Sequence, residues 1–175
     1  MSNNNDVIDE HVTPPHNINK GAFKKAIRDL ADVDDMMISL ESTLEDDATI
    51  EALESDEIHI ELVNYVYDLR KLNHILTILS GETDQDVPEA IKSLPEIEIL
   101  RQINTAAQWG IEAQIAIIGN LMSDSNDGAF IAEKAKLPLA RLITQLTTYQ
   151  TLYLCTDVEI RAYMQNQGGD TVDEG

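Results

Sequence analysis

Apolar residues recur at helical spacing along most of this chain. Phe23, Ile27, Leu30, Val33, Met37, Leu40 and Leu44 follow one another in steps of three and four. That spacing keeps one side of an α-helix dry and predicts a first helix over about 19–46, with Asn19 as a fair N-cap. From Ile58 the order is stricter: Ile58, Leu62, Tyr65, Leu69, Leu72, Leu76 and Leu79 form a seam with a seven-residue repeat. Val63, Val66, Ile75 and Ile78 are expected to widen its dry face into a bundle core. Asp47 and Ser55 both suit an N-cap, so 47–80 reads equally as one helix or as a turn and a long helix. Ser80 and Gly81 supply C-cap chemistry.

The second half repeats the theme. Pro88 opens a short helix through Leu94, and Pro95 opens a long one to about Met122. Its stripe is Ile97, Leu100, Ile103, Ala107, Ile111, Ile118 and Met122, with Ile115 and Ile117 alongside. Ala106, Ala107, Gly110 and Ala113 are small enough to let a neighbour come close. Trp109, the single tryptophan, is expected partly buried, with a contact anchor as the other reading. Ser123 to Gly128 reads as a loop. A last long helix over 129–154 carries Ala135, Leu139, Leu142, Leu146, Tyr149 and Tyr153, with Pro138 kinking or dividing it. Thr156 and Glu159 match a capping box, so the chain either continues or restarts there. No run alternates as a strand would. The fold class predicted is all-α: an antiparallel four-helix bundle with one or two short extra helices and polar flexible ends. The divisions are a polar leader at 1–18, one helical domain at 19–166 and a flexible tail at 167–175.

Charge changes the picture most. Thirty-two acids against twelve bases leave a net charge of −20. Fourteen of the acids lie between Asp29 and Asp68, a stretch bracketed by Arg28 and Arg70 and free of Lys and Arg. Because the apolar stripes run through this stretch, the acids are expected on the wet side of a folded helix pair rather than in a disordered tail. Glu41–Glu45, Asp47–Glu51 and Glu57–Glu61 stand four apart, where like charges cost roughly 0.2–0.5 kcal/mol per pair. The candidate partner-binding residues are Asp34, Asp35, Glu41, Glu45, Asp46, Asp47, Glu51, Glu54, Asp56, Glu57 and Glu61. Such a field excludes direct nucleic-acid binding, which needs phosphate neutralisation, and disfavours anionic membranes. It suits a basic protein surface or plain solubility. Lys20, Lys24, Lys25 and Arg28 crowd the first turns of the first helix, against the preference of its dipole.

Chemistry is harder to find. A di-iron bundle needs Glu-x-x-His on two helices; Asp56-x-x-His59 is the nearest approach. Counted from Asp124, Gly128 is fifth and Ala135 twelfth, so this loop misses calcium-loop spacing. His11 and His16 in the leader read as solvated. Cys155 is alone, which excludes an intrachain disulfide and points to a reducing interior. It reads as a half-buried small hydrophobe, since nothing places His59 or His74 beside it. Asn73 and Asn104 lie near the apolar stripes and are candidates for buried polar positions. No phosphate loop, dinucleotide fingerprint or nucleophile elbow is present. Met1 to Asp6 lacks the pattern of a signal peptide, and no apolar run nears the roughly 20 residues of a membrane span. The expectation is therefore a cytoplasmic, non-catalytic protein with no metal or cofactor. It would engage a basic protein surface, with imitation of a nucleic acid as the sharp form. The alternative is a structural or assembly subunit, for example of a phage particle, that oligomerises through helix seams.

Overall fold

A computed structural model describes residues 16–54, 56–82 and 86–168. Among them the chain is all helical: α1 (His16–Leu44), α2 (Asp47–Ala52), α3 (Asp56–Leu79), α4 (Glu89–Lys92), α5 (Glu96–Leu121), α6 (Asn126–Lys134) and α7 (Leu139–Gly168). α1 begins three residues ahead of the expected Asn19, and α7 reaches Gly168, beyond the expected domain edge at 166. Most of the leader and the tail from 169 onward, with the readings of His11 and of Ser55 as a cap, lie outside the described residues. None of the helices is long and apolar enough to cross a membrane.

The four long helices make the main contacts. α1 packs on α3 and α7, and α5 packs on α3 and α7. The α1 stripe is buried from Ile27 through Leu44, with Phe23 half-buried against it. Leu62, Leu69, Leu72, Leu76 and Leu79 of α3 are buried as the repeat requires, as is Val66. Val63 and Ile75 are not: they stand 40% and 45% exposed, so the dry face of α3 is narrower than its apolar content suggests.

Among the described residues three short helices form, where one or two were expected. α2 is separate because the Asp46 side chain caps it, accepting from the Thr49 N–H at 3.1 Å and the Thr49 hydroxyl at 3.0 Å. The chain over 47–80 is thus two helices, α2 and α3, rather than one. The segment read as a loop at 123–128 shortens, because α6 already starts at Asn126. Gly128 sits over the preceding turn, where an added Cβ would lie 2.3 Å from the Asn120 carbonyl oxygen. α6 ends in a Schellman motif, with Leu137 N–H bonded to the Ala132 carbonyl and Lys136 N–H to that of Glu133. Lys136 takes the left-handed φ of 53° that this motif requires, and Pro138 then separates α6 from α7. α7 runs unbroken through Thr156. The Thr156 hydroxyl caps nothing; it is buried, donates to the Leu152 carbonyl and accepts from Asn104 Nδ2 at 3.0 Å.

The small residues of α5 do admit a neighbour. A Cβ on Gly110 would lie 2.4 Å from Cδ1 of Tyr149, whose ring is fully buried. With Ala106, Ala107 and Gly110 turned inward and that ring filling the space, Trp109 faces out and is 61% exposed, against the expectation of partial burial. Ile115 and Met122, placed on or beside the buried stripe by the sequence, are likewise 53% and 57% exposed.

Candidate functional site

The acidic candidates run from the second half of α1 through α2 to the first half of α3, with Glu45, Asp46 and Glu54 in the joins. Three polar contacts fix this region. Asp46 caps α2, as above. His59, half-buried near the start of α3, meets the Leu44 carbonyl at the end of α1, 2.6 Å from its Nε2; that carbonyl is one of those a helix end leaves without an internal partner. Asp127 of α6 is buried, and its Oδ1 accepts from the Glu54 N–H at 3.2 Å. A charged acceptor makes that a stronger bond than a neutral one.

On this frame Asp35, Glu45, Asp46, Asp47, Glu51, Glu54, Asp56, Glu57 and Glu61 are exposed, while Asp34 and Glu41 are half-buried. The two half-buried acids share Arg70 of α3, whose Nε lies 3.4 Å from Asp34 and whose Nη1 bonds Glu41. Burial alone would lower the Arg70 pKa; the hydrogen bond and charge of Glu41, with help from Asp34, outweigh it and raise the guanidinium above its ordinary value. The eleven candidates therefore divide by chemistry. Two share one guanidinium between α1 and α3, one caps a helix, and the others are exposed. From Glu41 to Glu61 there are nine acids and no base.

No group of three His, Cys, Asp or Glu side chains converges as metal ligands among the described residues. Asp124 and Asp127 do not form a shared site, since Asp124 is exposed and Asp127 is turned to the Glu54 backbone. Cys155 is buried, which pushes its thiol pKa up, with Glu159 adding to the rise. A raised thiol is a poor nucleophile at neutral pH. Its neighbours in a groove of about 230 Å3 are Lys20, Phe23, Glu96, Leu100, Thr156 and Glu159. His59 lies instead at the end of α1, and His74 lines a groove between α1 and α3 with Asp34, Arg70 and Asn73.

The sequence did not point to Tyr149 as part of a polar pair. Its hydroxyl donates to Asn73 Oδ1 in the core, and burial, as the largest influence, pushes its pKa well above the ordinary tyrosine value. Asn73 is buried, and Asn104 is half-buried, donating to the Tyr153 carbonyl and to Thr156. Nor did the sequence single out Asp127: inside Ser-Asp-Ser-Asn-Asp-Gly its composition signals only a turn.

Set against protein-family models, curated proteins and solved structures, the chain matches none.

Proposed function

We propose that this is a non-catalytic binding protein whose carboxylate face engages a basic protein surface, in the sharp form a surface that otherwise holds nucleic acid. The observation that carries this reading is the exposed run of acids from Glu45 to Glu61, with no Lys or Arg among them, held in place by the Asp46 cap, the Asp127 bond and the His59 contact. A solubilising charge needs no such fixed frame. A decoy for phosphates does, since duplex DNA presents one charge per roughly 1.7 Å of axis, and a rigid complementary field speeds association. We further propose that the four long helices form an antiparallel four-helix bundle. Supporting this, Arg70 reaches Asp34 and Glu41 while His59 reaches Leu44, so α3 climbs as α1 descends. Asn104 reaching Thr156 and Gln114 reaching the Leu142 carbonyl relate α5 to α7 in the same sense.

The test is retention of cell proteins on the immobilised chain, eluted with a salt gradient. Basic nucleic-acid-handling proteins should be retained and should elute steeply with salt, and the variant with Glu51, Glu54, Glu57 and Glu61 all changed to Gln should not hold them. Equal retention and equal salt dependence on that variant would defeat the proposal.

A further inference from the structure

Trp109 belongs to a different surface from the acids. On α5 the residues Glu98, Arg101, Thr105, Trp109 and Glu112 recur at three- and four-residue steps and form one stripe. Among the described residues the indole is, with Leu154, at the top of the exposed large apolar side chains. It stands between two shallow grooves where α5 meets α3. One, of about 310 Å3, is lined by Leu72, Ile75, Leu79 and Ala106 with Arg101 and Glu98 at its edge. The other, of about 350 Å3, is lined by Tyr65, Leu72, Ile75 and Ala113 with Lys71, Asp68 and Glu112. Ile75, 45% exposed, is shared by both. A large aromatic anchor beside apolar hollows is the arrangement of an interface hot spot.

Charge says what covers it. Most of this molecule repels its own copy: the net charge is −20, and from Glu41 to Glu61 no base offsets nine acids. Around Trp109 the balance is different. Two bases, Lys71 and Arg101, are interleaved with Asp68, Glu98 and Glu112. Lys71 is held in place over the Tyr67 ring, 4.1 Å from its centroid. A two-fold interface sets one patch against itself, so the patch must contain both the anchor and the hollow that receives it, and both signs of charge. This one does. Arg101 and Glu112 are eleven residues apart, three turns of helix, so they flank Trp109 on one side of α5. When two copies of α5 lie antiparallel, Arg101 of one protomer meets Glu112 of the other, twice.

We propose that the α3–α5 face centred on Trp109 is a homodimer interface, in which each indole enters the groove beside Ile75 of the other protomer. This goes beyond the acidic-face reading and stands independently of it, because the acids from Glu41 to Glu61 are outside the patch. A dimer so formed presents two carboxylate faces.

The experiment uses the full chain. Since Trp109 is the only tryptophan, its emission reports this face alone. Sedimentation and emission are followed together from sub-micromolar to near-millimolar protein, in low salt. The expected result is a monomer–dimer transition, with emission moving to the blue as the dimer forms. Trp109→Glu should raise the dimer dissociation constant by roughly thirtyfold or more, the scale of hot-spot loss, with helix content unchanged because the side chain is exposed. Arg101→Glu should weaken the dimer, and Arg101→Glu with Glu112→Arg should restore it. A strict monomer, a dimer indifferent to Trp109→Glu, or a double charge exchange that fails to restore association would each overturn the proposal. The monomer result would leave this face to a foreign partner and the acidic face untouched.

Discussion

The α1–α3 half and the α5–α7 half of the molecule solve one problem in opposite ways. Both must hold two long helices side by side. α1 and α3 do it with bulk: Leu30, Met37, Leu40 and Leu44 face Leu62, Leu69 and Leu76, all essentially buried. Most of their charge is turned outward, in a stretch of fourteen acids from Asp29 to Asp68 that holds no Lys or Arg. α5 and α7 do it with closeness. Gly110 presents no side chain, Tyr149 seats against it, and neutral hydrogen bonds from the Asn104 and Gln114 side chains reach the α7 backbone. A seam of bulk has slack that repacking can absorb, and it leaves the outer face free to carry almost any charge. A seam of closeness has no slack. The half that carries the acidic surface is thus the half whose packing least constrains that surface.

The largest effect expected is at the close seam. Gly110→Val puts a Cβ within 2.4 Å of the buried Tyr149 ring, with two methyls beyond it. The loss should be about 3 kcal/mol in urea unfolding, against roughly 0.6 kcal/mol from helix propensity alone for Ala31→Val, which is exposed on α1. A loss under about 1 kcal/mol for the Gly110 variant would show that the ring swings aside, and the contrast between the halves would collapse.

Next comes Tyr149→Phe. It removes the donor to Asn73 Oδ1 and leaves a buried acceptor without a partner, at a cost of about 1–3 kcal/mol. It also carries a pH signature. The phenol is neutral in the folded chain and its pKa is raised, chiefly by burial. A group raised on folding contributes stability that is complete below the unfolded pKa, near 10 for tyrosine, and lost as pH climbs above it. Wild-type stability should therefore fall above about pH 10 by up to roughly 1.4 kcal/mol per pH unit more than that of the Phe variant. Parallel slopes in the two proteins would mean that the hydroxyl is not held neutral by the core.

In the α1–α3 half the expected sign reverses. Changing Glu51, Glu54, Glu57 and Glu61 together to Gln removes repulsion, including the Glu57–Glu61 pair, at four exposed positions. The variant should be more stable than wild type by about 1 kcal/mol in low salt. The gap should close in 1 M salt, where the screening length is about 3 Å. Thermal melts at two ionic strengths decide it; a destabilised variant would show that these carboxylates make attractive contacts.

How far this was legible from sequence follows from the same contrast. The stripes of α1 and α3 could be read because their buried Leu, Met and Val recur in steps of three and four, although the exposed Val63 and Ile75 made the dry face of α3 look wider than it is. From that, the acids of Glu45 to Glu61 could be placed in solvent. α5 could not be read so far. Ile111, Ile115, Ile117 and Ile118 surround it with apolar positions, and local periodicity does not choose between them. The choice is made by Tyr149, roughly forty residues away in sequence, which claims the side bearing Gly110 and turns Trp109 out. The first turn of α6 was hidden for a similar reason: Asp127 and Gly128 look like a turn until Glu54 and Asn120 come to meet them. Arg70 was visible as a bracket of the acidic run, but its grip on Asp34 and Glu41, 36 and 29 residues away, belongs to tertiary structure.

That grip gives the smallest effect and the sharpest check on the comparison. The Arg70 side chain is 36% exposed, with Asp34 at 36% and Glu41 at 32%, so water and salt screen the trio. Partly exposed pairs of this kind contribute about 0–1 kcal/mol. If α1 and α3 are held by Leu and Met, a double-mutant cycle of Arg70→Met with Glu41→Gln should give a coupling under about 1 kcal/mol that weakens with salt. A coupling above about 2 kcal/mol that persists in salt would mean that Arg70 clamps α1 to α3. The acidic half would then depend on charge for its packing, and its surface would no longer be free to vary apart from its core.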